Sequence, residues 1–135
     1  MRPGDASDGL RKVLRTGGSC VYPLARMEGV CVIVAYRPKP GKEADLLEVV
    51  RSRVPLLRQE GLVSERVPII VRAQDGTLIE VSEWKSRAAI DAAHRNPNVL
   101  ALWNKFFALC DCVPLNTVAE TAEMFAGFEP VEEER

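Results

Sequence analysis

His94 is the only histidine in the chain. It stands in Ala92-Ala93-His94-Arg95-Asn96-Pro97, between Trp84 and Trp103, where one helical pattern stops and another starts. A residue before proline is biased away from the α region, and proline suits the first position of a helix, so His94 closes one helix just before the next opens. An imidazole at such a corner titrates near neutrality. Two roles are open to it: facing a ligand, or capping the last carbonyls of its own helix, where the helix dipole favours a positive charge. Four cysteines occur, Cys20, Cys31, Cys110 and Cys112. Cys110-Asp111-Cys112 beside a lone histidine lacks the paired spacing that closes a tetrahedral zinc site, so no metal is expected and free thiols are the default. Cys110 has no sequence-local base, and neither a glycine-rich phosphate loop nor a serine elbow is present, which disfavours nucleophilic and nucleotide chemistry.

One domain must position these groups. The chain has 135 residues, of which 47 % are hydrophobic and 27 % charged, the balance of an ordinary globular protein with a sizeable core. Lys and Arg (18) nearly equal Asp and Glu (19), so no basic field exists to hold phosphates and no nucleic-acid partner is expected. The longest apolar runs, such as residues 30–36, are far too short to span a bilayer, and no charged-then-apolar leader opens the sequence, so neither membrane contact nor export is expected and the reading is cytoplasmic. Residues 1–26 mix Gly and Pro with Asp, Ser and Arg and read as an arm or extension. Met27 precedes the first strand signal, making 27–135 the domain and Met27 an alternative start.

Residues 30–37 are β-branched and apolar on both alternating faces, a strand covered on two sides. From Lys42 to about Gly61, Leu46, Leu47, Val49, Val50, Val54 and Leu57 recur at helical spacing, with Pro55 expected to kink or restart the helix. Two strand signals flank Asp75-Gly76. A two-residue turn there pairs Gln74 with Thr77 and sets Ile69, Val71, Ala73, Leu78, Glu80, Ser82 and Trp84 on one face, with Ile70, Arg72, Ile79, Val81 and Glu83 on the other. Neither face is polar throughout. The helices of one domain cover one face, so a second copy of the chain is the expected cover for the other, and a buried glutamate there is expected to pair with an arginine at that interface. Ser86 caps a short alanine-rich helix and Pro97 starts a longer one, whose stripe of Val99, Leu102, Trp103, Phe106, Phe107, Cys110 and Val113 should face the sheet. A last strand is expected over residues 122–131, followed by a solvated acidic tail at 132–134.

Strand, helix, strand, strand, helix, strand is the split βαβ order. With VAYRPKPGKE at residues 34–43, Asp75-Gly76 before EVSEWKS at 80–86, and AAHRNP at 92–97, the chain resembles the antibiotic biosynthesis monooxygenase (ABM) superfamily over residues 28–131. The resemblance implies an α+β, ferredoxin-like βαββαβ domain with a four-stranded antiparallel sheet, paired into a homodimeric α+β barrel, with ligand between sheet and helices. It implies a cofactor-independent monooxygenase acting on a small quinol-like or polycyclic aromatic, or alternatively a non-catalytic small-molecule-binding or stress-related dimer of the same fold. An oxygenase without cofactor needs a base and an anion stabiliser in a dry aromatic pocket. His94 is the candidate base, Arg72 the candidate stabiliser, and Tyr36, Trp84, Trp103, Phe106 and Phe107 the candidate walls. The haem-degrading branch carries a strand-end tryptophan and a helix histidine, which Trp84 and His94 resemble, and an asparagine on the first strand; residues 30–36 hold none, so a haem site ranks below one without cofactor.

Overall fold

The computed structural model describes residues 28–131, so the expected arm and acidic tail lie outside the described residues. Strand β1 (Val30–Pro38) is followed by helix α1 (Glu43–Gln59), strands β2 (Ile69–Arg72) and β3 (Leu78–Trp84), helices α2 (Arg87–Ala93) and α3 (Pro97–Leu109), and strand β4 (Cys110–Val113). Two short 3-10 turns lead to β5 (Glu129–Pro130). The sheet has the order β4-β1-β3-β2-β5, so it is five-stranded where four strands were expected, and every pairing is antiparallel.

Local chemistry accounts for the element ends. The α1 helix carries Glu43 and Asp45 in its first turn and Arg58 in its last, complementing the helix dipole. It runs through Pro55 without a break and stops where Gly61 takes φ +75° and the Leu62 N–H bonds the Leu57 carbonyl (3.0 Å), a glycine-terminated C-cap. Ser86 Oγ accepts from the Ala89 N–H (3.0 Å) to cap α2, and Asn96 Oδ1 accepts from Asn98 and Val99 (2.9 and 3.2 Å) to cap α3.

The hairpin differs from expectation by one residue. Ala73 N–H bonds the Thr77 carbonyl (2.8 Å), making a three-residue loop of Gln74, Asp75 and Gly76. Asp75 Oδ1 accepts from the Thr77 N–H (2.8 Å) and Gly76 takes φ +93°, which accommodates the extra residue. Because side chains alternate along a strand, this slip moves Ile70 and Arg72 to the face of Leu78, Glu80, Ser82 and Trp84. The helices cover that face. The outer face then holds Ile33, Ala35, Ile69, Val71, Ala73, Ile79 and Val81 together with Glu83.

The last strand is also displaced. The segment that continues the α3 stripe leaves the helix at Cys110 and runs antiparallel to β1 as β4. Asp and Cys are poor helix formers, Val113 precedes Pro114 and is driven to extended backbone, and Lys39 captures the helix end through its N–H to Leu109 (2.9 Å) and its Nζ to Phe107 (2.9 Å). Residues 122–131 form only the two-residue β5, because β2 offers a four-residue edge. Met124 and Phe125 stay 91 % and 88 % exposed.

The core lies between the sheet and α1 and α3, with Tyr36, Leu46, Val50, Leu78, Leu102, Phe106 and Cys110 in one cluster and Val54, Leu57, Val63, Trp84, Ala93 and Val99 in the next. On the outer face Val118, aided by Leu115 and Phe128, covers Ala35, Ala73 and Ile79. Beyond that cover Ile33, Ile69 and Val67 remain 48 %, 61 % and 69 % exposed. No described helix is long and apolar enough to cross a membrane.

Candidate functional site

A cleft of about 220 Å³ opens between the sheet and the helices, lined by Val34, Tyr36, Arg53, Trp103, Phe106, Phe107 and Cys112. Each element contributes by its period. Val34 and Tyr36 are alternate residues of β1, Cys112 stands directly opposite Tyr36 on β4, and Trp103, Phe106 and Phe107 recur at three and four residues on α3. Tyr36 and Phe106 stack with ring centroids 4.8 Å apart and planes 11° from parallel. Phe107, 60 % exposed, stands at the mouth.

Beneath the aromatic walls lies a buried polar group. Arg53 occupies the apolar stripe of α1, three residues after Val50 and four before Leu57, so its guanidinium enters the core. Its Nη1 donates to Glu80 Oε1 (2.9 Å) and Ser82 Oγ (3.2 Å), and the guanidinium stands 5.6 Å from the centre of the Trp84 ring. The Tyr36 hydroxyl donates to the same carboxylate oxygen (3.0 Å). Glu80 Oε2 is buried and has no hydrogen-bond partner among the described residues. Burial pushes the Glu80 carboxyl up from its ordinary range, against the pull of Arg53 and the Tyr36 hydrogen bond. Burial likewise raises Tyr36, opposed by Arg53 and reinforced by Glu80. A carboxylate held this way is a stronger base than an exposed one, and it has a spare acceptor.

Four of the five expected aromatic residues, Tyr36, Trp103, Phe106 and Phe107, therefore meet in one cleft. Trp84 is buried behind Arg53 in the core and does not line it. His94 is the exposed C-cap of α2: its Nδ1 lies 2.9 Å from the Ile90 carbonyl, and its ring meets Trp103 edge-on with centroids 5.1 Å apart. Arg72 pairs with Glu129 of β5 at 3.0 Å, at the edge of the sheet. The structure brings neither His94 nor Arg72 into the cleft lining, nor the two together. The buried glutamate takes its arginine from α1 of its own chain and not from an interface, while Glu83 pairs with Arg66 on the outer side (3.0 Å).

Sequence reasoning passed over Arg53, Glu80 and Cys112 as site residues. An arginine on the apolar stripe of α1 was the available signal for the first. For Glu80, the signal was its lone carboxylate within Leu78, Ile79 and Val81.

The two-layer α+β architecture with a cleft between its layers defines the class, and the comparisons give the family. The antibiotic biosynthesis monooxygenase family model matches residues 29–104, more than half of the chain, and the chain belongs to that family. Among solved structures, it is similar to SnoaB, a cofactor-independent oxygenase from Streptomyces nogalater, at 15 % identity and TM-score 0.54 over 64 % of this chain and 87 % of that one. It is also similar to NE2512, a protein of unknown function from Nitrosomonas europaea (22 % identity, TM-score 0.50, 65 % and 82 % covered). PA3566 from Pseudomonas aeruginosa gives 18 % identity and TM-score 0.50, with 64 % and 92 % covered. At these identities the likeness is one of fold. A search of curated proteins finds no match.

Proposed function

We propose that the protein is a cofactor-independent monooxygenase whose cleft binds a flat quinol-like aromatic and whose Tyr36–Glu80–Arg53 group takes up the substrate's hydroxyl proton. The observation that carries the reading is the shared oxygen: Glu80 Oε1 accepts from both Tyr36 and Arg53, and both of these residues line the aromatic cleft. A substrate hydroxyl donating to the Tyr36 oxygen passes its proton to Tyr36 as Tyr36 passes its own to Glu80. Neutralising Glu80 frees the Arg53 charge for the phenolate that remains, so one negative charge replaces another beside the same guanidinium. The electron-rich anion reduces dioxygen; one oxygen atom replaces a ring hydrogen as a hydroxyl, the two quinol oxygens become carbonyls and the other oxygen atom leaves as water, so a quinol plus dioxygen gives a hydroxyquinone plus water. The substrate supplies all the electrons.

The cleft volume lies below the range of about 300–1,000 Å³ common for small-molecule sites, which favours a substrate of one or two fused rings. His94 acts through Trp103 as a positioning residue in this reading, and Arg72 holds the β2 edge to β5. The protein works as a homodimer whose copies meet across the outer sheet face, supported by the exposed Ile33, Ile69 and Val67. Oxygen uptake with 1,4-naphthohydroquinone, corrected for protein-free autoxidation, tests the function. One dioxygen consumed per substrate is expected, with Glu80→Gln lowering the rate by about 10²–10⁴. Uptake no faster than the protein-free control would overturn the reading.

A further inference from the structure

The proton transfer leaves one nucleophile on the cleft wall unused. Cys112 faces the cleft because β4 registers it against Tyr36, and Cys110, two residues earlier on the same strand face, is buried beneath α3. The two thiols are neighbours, alternate residues on one face of β4. Cys110 is buried and has no surface on which to react, whereas the Cys112 sulfur is exposed with the cleft before it.

We propose that Cys112 is a covalent capture site for quinones bound in the cleft. Its thiolate adds to a ring carbon β to a quinone carbonyl. The carbon–sulfur bond forms, the ring π pair moves to the carbonyl oxygen, and that oxygen takes a proton. Loss of the ring hydrogen as a proton then restores aromaticity, so quinone plus thiol gives a thioether-substituted hydroquinone with no other oxidant or reductant. The inference rests on the proposed function in one respect, that the cleft accepts a flat aromatic carbonyl compound. It adds that a product retained there can tether itself and close the site.

Electrostatics support the geometry. The neighbouring Cys110 lowers the Cys112 thiol most; burial opposes this, Arg53 adds to it, Asp111 subtracts, and the balance is about 7. Near neutral pH about half of Cys112 is then thiolate, against about 3 % of an ordinary thiol, but intrinsic nucleophilicity falls with pKa. Ionisation alone therefore gains about threefold, and anything beyond that reports binding before addition.

The test is anaerobic incubation of the full chain with 1,4-naphthoquinone at pH 7, followed by intact-mass measurement and peptide mapping, with N-acetylcysteine as the reference thiol. The expected result is a first adduct on Cys112, at a rate that saturates with quinone concentration, exceeds the reference by more than threefold, and is slowed by 1-naphthol as a non-electrophilic competitor. Cys112→Ser should remove this fast phase, and mapping of the unaltered chain decides the matter even if that variant does not fold. First labelling at Cys20 or Cys31, or a rate linear in quinone and no faster than ionisation provides, overturns the proposal. Because no dioxygen is present, the two readings fail separately. Saturable labelling without oxygen uptake removes only the oxygenase, and oxygen uptake without such labelling removes only the capture site.

Discussion

Replacing Arg53 by Met tests the buried polar group through its dependence on pH. Arg53 and Glu80 are 5 % and 0 % exposed, and the methionine keeps most of the aliphatic volume while removing the charge. Glu80 is then left with the Tyr36 hydroxyl as its remaining hydrogen-bond donor. Losing one partner of a buried pair costs about 3–5 kcal/mol when the other stays charged. The Glu80 carboxyl is already raised in the folded protein, so its contribution to stability is full below the ordinary carboxylate range and is lost as pH rises through the folded value. Without Arg53 the opposing attraction disappears and the carboxyl climbs further. The variant should therefore lose more at pH 8 than at pH 5, because protonation of Glu80 at lower pH reduces the deficit towards the roughly 1–2 kcal/mol of missing hydrogen bonds. The change of about 2–3 kcal/mol is within the limit of about 1.4 kcal/mol per pH unit for one proton. Urea denaturation of both proteins at pH 5 and pH 8, at one fixed protein concentration, measures it. A loss below about 1 kcal/mol at pH 8, or a loss equal at both pH values, would refute the reasoning.

Other expectations follow from the same geometry. Ile33→Glu places a charge on the uncovered outer face, so sedimentation should give a dimer for the unaltered chain and a monomer for the variant; a monomeric unaltered chain at micromolar concentration removes the pairing argument. His94→Gln should change turnover by less than about tenfold, because the ring acts through Trp103; a fall of about 10²–10⁴ would return the base role to His94. Phe106→Ala should cost about 3–5 kcal/mol in thermal or urea unfolding, since it removes a buried ring stacked on Tyr36. Phe107→Ala should cost under about 1 kcal/mol yet weaken aromatic ligands in a tryptophan-quenching titration, and equal stability losses for the two would contradict the distinction between core and mouth.

The parts of the fold legible in the sequence are those in which local pattern and tertiary role agree. Residues 30–37, the α1 stripe, the Ser86 cap and the Asn96-Pro97 helix start each state their structure within a few residues. The hairpin register was not legible, because Asp75-Gly76 serves two- and three-residue loops alike and the choice lies in the Asp75 to Thr77 hydrogen bond. Nor was β4, whose Cys110 and Val113 continue the α3 spacing by coincidence of period, and whose strand state depends on a free edge of β1 that only the assembled sheet supplies. The aromatic residues of α3 were legible because they repeat at helical spacing. The charged floor was missed because Arg53 and Glu80 are 27 residues apart and become a pair only once α1 lies over β3.

That pair is also the feature stability explains least. Apolar residues of similar volume in place of a buried ion pair are often neutral or stabilising, and here the cost is compounded by Glu80 Oε2, which no group among the described residues satisfies. The surrounding core is apolar and close-fitting, with Leu46, Val50, Val54 and Leu57 on α1 and Leu78 and Trp84 on β3, so nothing in the packing calls for a charge at positions 53 and 80. What the pair does provide is a fixed cation and an underused carboxylate oxygen, joined through Tyr36 to an aromatic cleft. In the proposed reaction this arrangement would stabilise an anion that appears only when a ligand gives up a proton. A charge held in place before a reaction needs no reorganisation during it, so under the proposed function the cost to the folded state would be offset by a gain in catalysis.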